Sequence, residues 1–277
     1  VRQFGWKKDE RDERDYLFLP RIPKLPEEVE LNSLPFVRDQ GQVGSCVGFG
    51  IGGVLTGLLQ QSECEWFSPT WIYNGARKLE GTLSQDAGAY PRDALKFLKS
   101  WGSLPEHFRP YQMYELDTTD PLTWGVTEEA AKYPLVSYTR VTDGVEFICS
   151  ALAEGHLVAL GGAWYASWMD PPSTGVLPEK YDRVVGGHEV FLYGYSLTTS
   201  RFYGQNSWGV DWGNKGRFEM PFSALEAMKA DTGYDAHYIE VDWKVEPKPK
   251  RRFPWWWIVL GAAGLGGLVL GLKQCGG

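Results

Sequence analysis

Cysteine is scarce in this chain, with four residues in 277. None lies at the short paired spacing of a zinc site, and no even framework of the kind that staples small secreted domains is visible. A metal centre is therefore not indicated, and a reducing compartment is the simplest setting. The 33 glycines include no phosphate-cradling loop with its flanking lysine, so nothing calls for a nucleotide or another cofactor. The first fifteen residues are densely charged and hold no apolar run resembling a signal peptide. Acid is absent from residues 248–277, which carry five basic side chains; the first 247 residues hold 23 basic against 35 acidic groups. A body this acidic is a poor partner for nucleic acid. What is plentiful is apolar material, 43% of residues with 14% aromatic, enough for a sizeable core.

One thiol stands out. Asp39-Gln40-Gly41-Gln42-Val43-Gly44-Ser45-Cys46 is a glycine-rich turn ending in cysteine. The apolar, proline-free run Val47 to Gln61 that follows reads as a buried helix. Cys46 would sit at the N-terminus of that helix, where unpaired N–H groups and the macrodipole favour an anion and lower a thiol pKa. Its four neighbouring glycines, Gly48, Gly50, Gly52 and Gly53, are costly in a helix and make sense where another segment packs closely on it. An imidazole follows 142 residues later, in Gly186-Gly187-His188, at the head of the alternating strand Glu189 to Tyr195. A carboxamide comes next, in Gln205-Asn206-Ser207-Trp208-Gly209. A thiol, a base and an amide in this order suit nucleophilic acyl transfer.

These patches resemble the papain-like cysteine proteases across most of residues 36–243. Asp86-Ala87-Gly88-Ala89-Tyr90-Pro91 is similar to that family's substrate-binding loop. The resemblance implies that Cys46 is the nucleophile, His188 its base in a thiolate–imidazolium pair, Asn206 the orienter of the imidazole and Gln40 an oxyanion donor. It further implies that Trp208 shields the His188–Asn206 contact and that Gly88, Ala89 and Gly187 line the substrate cleft. Two departures go together: Val43 and Asp86 stand where a family disulfide has its two ends. Ala89 replaces a loop glycine and would narrow the cleft. The expected partner is a peptide or protein substrate. Two alternatives keep the fold: a membrane-associated structural or virion assembly component with idle chemistry, and a hydrolase of cell-wall or isopeptide cross-links.

The implied fold is α+β with two lobes. Residues 36–131 read as mainly helical, with helices near Thr70–Leu79 and Arg92–Trp101. Residues 132–244 read as mainly strands, at Leu135–Val141, Leu157–Gly161, Glu189–Tyr195, Arg201–Asn206 and Tyr238–Val241, with a helical pattern over Gly144–Gly155 that makes Cys149 a packing residue. Residues 1–35 form an N-terminal extension, read either as a solvated arm along the surface or as an inhibitory segment, like the lead-in of some microbial and phage-type members. Activation by removal of a long prodomain is not expected. His107, His156 and His237 read as surface or capping residues.

The C-terminal stretch lies outside that resemblance. Residues 245–254 form a basic, proline-rich linker, and Trp255 to Leu272 contains 18 residues without a charge. As a helix it would span about 27 Å, enough for a bilayer core, with Trp255, Trp256 and Trp257 at the interface. Residues 273–277 would be a tip. The four basic residues before the helix against one after it place the catalytic body on the cytoplasmic side, unless the protein travels with a virus particle. The glycines of this helix, Gly267 and Gly271 among them, also suit self-association into a homo-oligomer.

Overall fold

The computed structural model describes residues 2–32, 34–59, 66–141 and 144–243. Cys64, Cys275, the linker and the 18-residue apolar stretch lie outside them. Among the described residues no helix is long and apolar enough to cross a membrane.

The chain begins with a long irregular arm and a short strand β1 (Glu28–Glu30), and then turns into three helices: α1 (Cys46–Leu58), α2 (Pro69–Leu79) and α3 (Pro91–Trp101). Their starts are written locally. Ser68 caps α2 by accepting a hydrogen bond from the Trp71 N–H at 3.2 Å, and Pro69 and Pro91 occupy first-turn positions where no amide hydrogen is needed. Helix α1 is buried on nearly every side, which its glycines permit. A Cβ on Gly48 would lie 2.5 Å from the Pro69 carbonyl oxygen, and one on Gly53 2.5 Å from the Phe191 ring. Side chains there would push α1 off both neighbours, so the sequence trades helix propensity for close approach. One hydrophobic cluster gathers Val47, Ile51, Trp71, Phe97 and Leu98.

After a short turn of helix α4 (Thr127–Ala130), the strands follow: β2 (Leu135–Arg140), helix α5 (Val145–Ala153), β3 (Val158–Tyr165), β4 (Val184–Ser196), β5 (Arg201–Gln205), β6 (Arg217–Pro221), helix α6 (Ser223–Asp231) and β7 (Tyr234–Val241). The sheet order is β2-β7-β3-β4-β5-β6, with β1 pairing β4. Every ladder is antiparallel. A second hydrophobic cluster, rich in large aromatics, gathers Trp164, Trp168, Tyr195, Phe202, Trp212 and Phe218. Four elements go beyond those the sequence pattern predicts: β1, α4, β6 and α6. Strand β6 carries alternation, Phe218 and Met220 being buried and Arg217 and Glu219 half-buried, but five residues among turn glycines are too short to read with assurance from pattern.

The histidine reading needs correction at one position. His237 is 2% exposed, and burial pushes its pKa down to about 3, with the Arg140 and Arg92 charges adding to the effect. It is a neutral interior side chain, 3.7 Å from Asp9. His156 is half-buried and stacks on Tyr238, with ring centroids 4.0 Å apart.

Candidate active site

The turn before α1 is held from several directions. Gln40 is fully buried; its backbone N–H donates to the Ser207 carbonyl at 2.8 Å, and its side-chain oxygen accepts from the Ser207 hydroxyl at 2.7 Å. The Tyr111 hydroxyl donates to the Gln40 carbonyl at 2.7 Å and lies 2.6 Å from the Ser45 hydroxyl. These bonds tie the Cys46 turn to the segment carrying Asn206 and Trp208, so residues far apart in sequence share one site. Cys46 is the first residue of α1, as the sequence predicts.

His188 lies on β4, and Asn206 follows directly on the end of the neighbouring strand β5. His188 Nε2 lies 2.7 Å from Asn206 Oδ1, which also accepts the Ser207 N–H at 2.7 Å. An oxygen that only accepts requires Nε2 to carry the proton, which leaves the Nδ1 lone pair available. Nδ1 is buried without a hydrogen-bond partner. Trp208 lies against the imidazole, with centroids 4.5 Å apart at 30°, and Trp164 meets it edge-on at 4.8 Å. The aromatic wall keeps water from the His188–Asn206 bond.

Opposite, the Gly88 loop is joined to the Cys46 turn by hydrogen bonds. Asp86 accepts the Gly44 N–H at 3.1 and 2.9 Å with its two oxygens, and the Tyr73 hydroxyl donates to Asp86 at 2.6 Å. The same hydroxyl accepts the Gly88 N–H at 3.1 Å. Asp86 thus bridges the two segments at the position where the sequence departs from its resemblance.

The N-terminal arm runs through the cleft between these walls, which the sequence left open as one of two readings. Gln40 Nε2 donates to the Gln3 carbonyl at 3.2 Å as well as to Val43 at 2.9 Å. Phe4 touches the edges of His188 and Trp208. The Gly5 N–H points at the Cys46 sulfur, and the Gly5 carbonyl accepts from the Ala89 N–H at 2.7 Å. Trp6 N–H donates to Gly187 at 3.1 Å, and Lys7 N–H to Ala89 at 3.0 Å. Gly88, Ala89 and Gly187, the predicted substrate-contacting positions, are thereby all covered by the protein's own backbone. The methyl of Ala89 does not block it, because Ala89 is fully buried beneath Trp6.

Burial decides the electrostatics. Cys46 is 0% and His188 1% exposed. Burial first, and the nearby Glu189 second, push the Cys46 thiol up to about 12, against hydrogen bonds from the Glu189, Gly5 and Val47 N–H groups. Burial also pushes His188 down to about 4, despite the Asn206 hydrogen bond. The helix-end effect expected from sequence is outweighed, and under the arm both groups are neutral instead of forming an ion pair. Glu189 is 1% exposed, its carboxyl held well above the usual range by burial and then by Asp9 and Asp235.

The arm is fastened beyond the thiol. Asp235 accepts the Trp6 indole N–H at 3.1 Å and the Asp9 N–H at 2.9 Å with one oxygen, and pairs with Arg140 at 2.6 Å through the other. Arg140 also lies 3.8 Å from Asp9 and from Asp15. Arg92 grips Asp15, and its N–H donates to Asp9 at 3.1 Å. Burial, with repulsion from Asp235, pushes Asp9 up to about 7. Sequence reasoning missed Gly5, Trp6, Asp9, Arg140, Glu189 and Asp235 at this site.

The family model for papain family cysteine proteases matches residues 25–230, a span holding the turn, the imidazole and the carboxamide. The chain belongs to the papain family of cysteine proteases. Among relatives of this papain-family peptidase, an uncharacterized peptidase C1-like protein, L477, of Acanthamoeba polyphaga mimivirus is 29% identical over 256 residues, covering 80% of this chain and 82% of that protein. Cathepsin B-like CP3 of Giardia intestinalis is 29% identical over 199 residues, 68% of this chain and 64% of its own length. The crystal structure of xylellain, a cysteine protease from Xylella fastidiosa, superposes with a TM-score of 0.75 at 28% identity, covering 87% of this chain and 96% of that one. The α+β fold of this enzyme is papain-like, and it is a hydrolase of the cysteine peptidase class. Among the described residues no group of histidine, cysteine and acidic side chains could hold a metal ion.

Proposed function

We propose that the protein is a latent endopeptidase whose Cys46 forms an acyl-enzyme with peptide substrates once the N-terminal arm leaves the cleft. The observation that supports this reading is the free Nδ1 of a histidine whose Nε2 is held by Asn206 at 2.7 Å, on the same cleft as a helix-end thiol. In the open site His188 takes the Cys46 proton, and the sulfur attacks the carbonyl carbon of the scissile bond. The oxyanion receives hydrogen bonds from Gln40 Nε2 and the Cys46 N–H, of a kind worth roughly 3–4 kcal/mol per donor. The intermediate collapses as His188 returns its proton to the leaving amine, and water, deprotonated by His188, then cleaves the thioester to a carboxylate and the free thiol. Gln40 already donates to a backbone carbonyl, that of Gln3, which is the type of group it would serve in a substrate. Gly88, Ala89 and Gly187 would bind substrate backbone.

The test is profiling of peptide cleavage by Gly5→Val protein, in which the arm is displaced, with and without Cys46→Ala. Cleavage is expected to fall by at least about 10³-fold with Cys46→Ala, as for removal of a nucleophile in other acyl-transfer sites. Equal cleavage by both would sink the reading.

We also propose that residues 255–272 anchor the enzyme in a membrane with its catalytic body on the cytoplasmic side. The support is the uncharged 18-residue run behind a basic linker and three tryptophans. Full-length protein is expected in the membrane fraction, and a version ending at Glu246 in the soluble one. Equal solubility without detergent would refute the anchor.

A further inference from the structure

The arm shows what the cleft accepts. Trp6 lies opposite Ala89, and its indole fills a pocket whose walls are glycine. A Cβ on Gly161 would fall 2.2 Å from the indole, and one on Gly187 2.5 Å from it. Any other residue at either wall would close the space. At the far end, Asp235 is 1% exposed and accepts the indole N–H at 3.1 Å. The negative charge of Asp235 is already paired with Arg140 at 2.6 Å. A cationic side chain in the pocket would therefore approach Arg140 and gain little from Asp235, while a phenyl ring would fit but supply no donor to a buried oxygen whose other donor, the Asp9 N–H at 2.9 Å, leaves with the arm.

We infer that the cleft selects peptide substrates carrying tryptophan opposite Ala89, with Asp235 reading the indole N–H and Gly161 and Gly187 making room for the ring. This rests on the peptidase reading above. The pocket walls do not depend on strand direction, because a side chain directly opposite Ala89 faces the same side in either pairing. A site built to bond a donor discriminates strongly against an isostere lacking it, whereas apolar fit alone discriminates weakly.

The experiment uses the full chain with Gly5→Val, which displaces the arm, or with Trp6→Ala, which empties the pocket, should the first variant not fold. Binding of a synthetic peptide with the sequence of residues 2–8, which omits the Asp9 N–H that also reaches Asp235, is measured by calorimetry on a Cys46→Ala background, alongside versions with phenylalanine or arginine in place of its tryptophan. The tryptophan peptide is expected to bind roughly tenfold tighter than either. Gly161→Ala is expected to abolish that advantage while leaving the buried charges intact. Peptides differing only at this position are then compared as substrates, with roughly tenfold higher kcat/KM expected for tryptophan. Equal or tighter binding of the phenylalanine or arginine peptide overturns the inference, as does Cys46-dependent cleavage without tryptophan preference. Tight, tryptophan-selective binding without Cys46-dependent cleavage supports the pocket and overturns the peptidase reading instead.

Discussion

Replacing Gly5 by valine is expected to raise the alkylation rate of Cys46 by at least about 10²-fold, a change equivalent to about 2.7 kcal/mol in the opening of the site. A Cβ at Gly5 would sit 1.7 Å from the Gly44 carbonyl oxygen and 2.5 Å from its carbon. These are backbone atoms of the Cys46 turn, which Gln40, Tyr111 and Asp86 hold in place, so it is the arm that must move. Iodoacetamide labelling followed by mass spectrometry reads the change, and Cys149, also fully buried, serves as the internal control. The pH dependence carries a second signature. With the arm docked, the thiol stands at about 12 and the imidazole at about 4, so labelling should climb only toward strongly alkaline pH. With the arm displaced, water relieves both shifts, the pair can ionise, and the labelling midpoint should fall by several units. The docked state holds the thiol proton more tightly than the open one, so docking weakens as pH rises through the open-state thiol pKa. An unchanged rate and midpoint in the variant would show that the arm does not gate the thiol.

Arg140→Met is expected to destabilise the protein by about 3–5 kcal/mol near neutral pH, because it strips the counter-charge from buried carboxylates instead of removing a whole pair. Asp235 and Asp9 have side chains 0% and 1% exposed, and Asp15 is nearly as well covered. For a chain of this size the loss corresponds to a fall in melting temperature of roughly 10 °C, measurable by calorimetry. The sign with pH follows from Asp9. Burial raises its folded-state pKa to about 7, so between the ordinary carboxylate range and that value the folded state binds more protons than the unfolded one. Stability is thus lost as pH rises through this window, and removing Arg140 should steepen that slope. The variant should come closest to the parent near pH 4, where Asp9 is neutral. A deficit that does not shrink on acidification would mean that Arg140 acts by packing and not by charge.

The parts of the site legible in the sequence are those where chemistry demands a residue type. Cys46, His188, Asn206 and Gln40 each need a particular functional group, and the turn glycines and alternating strand around them follow from backbone geometry. The helices α2 and α3 announce themselves through proline at their starts and apolar periodicity. The arm was left open because its hold on the cleft is mostly backbone to backbone, through Gly5, Trp6 and Lys7, and almost any residues could supply those bonds. Gly5 is informative only once Gly44 is known to lie against it. The charged cluster was hidden for another reason: pattern reading sends Asp9, Arg140, Glu189 and Asp235 to the surface, and only tertiary pairing makes their burial tolerable. His237 was misjudged on the same ground.

The bridge from Gly44 through Asp86 and Tyr73 to Gly88 is made of hydrogen bonds throughout. A thiol enzyme needs reductant to keep its nucleophile free, and a cystine cross-link at this point would be exposed to the same reductant. Here the Cys46 turn and the Gly88 loop are joined by a carboxylate and a phenol, which do not exchange with thiols. Redox conditions that act on the Cys46 thiol therefore leave the spacing between its turn and the Gly88 loop untouched, and the thiol can be oxidised or reduced without altering the frame that presents it.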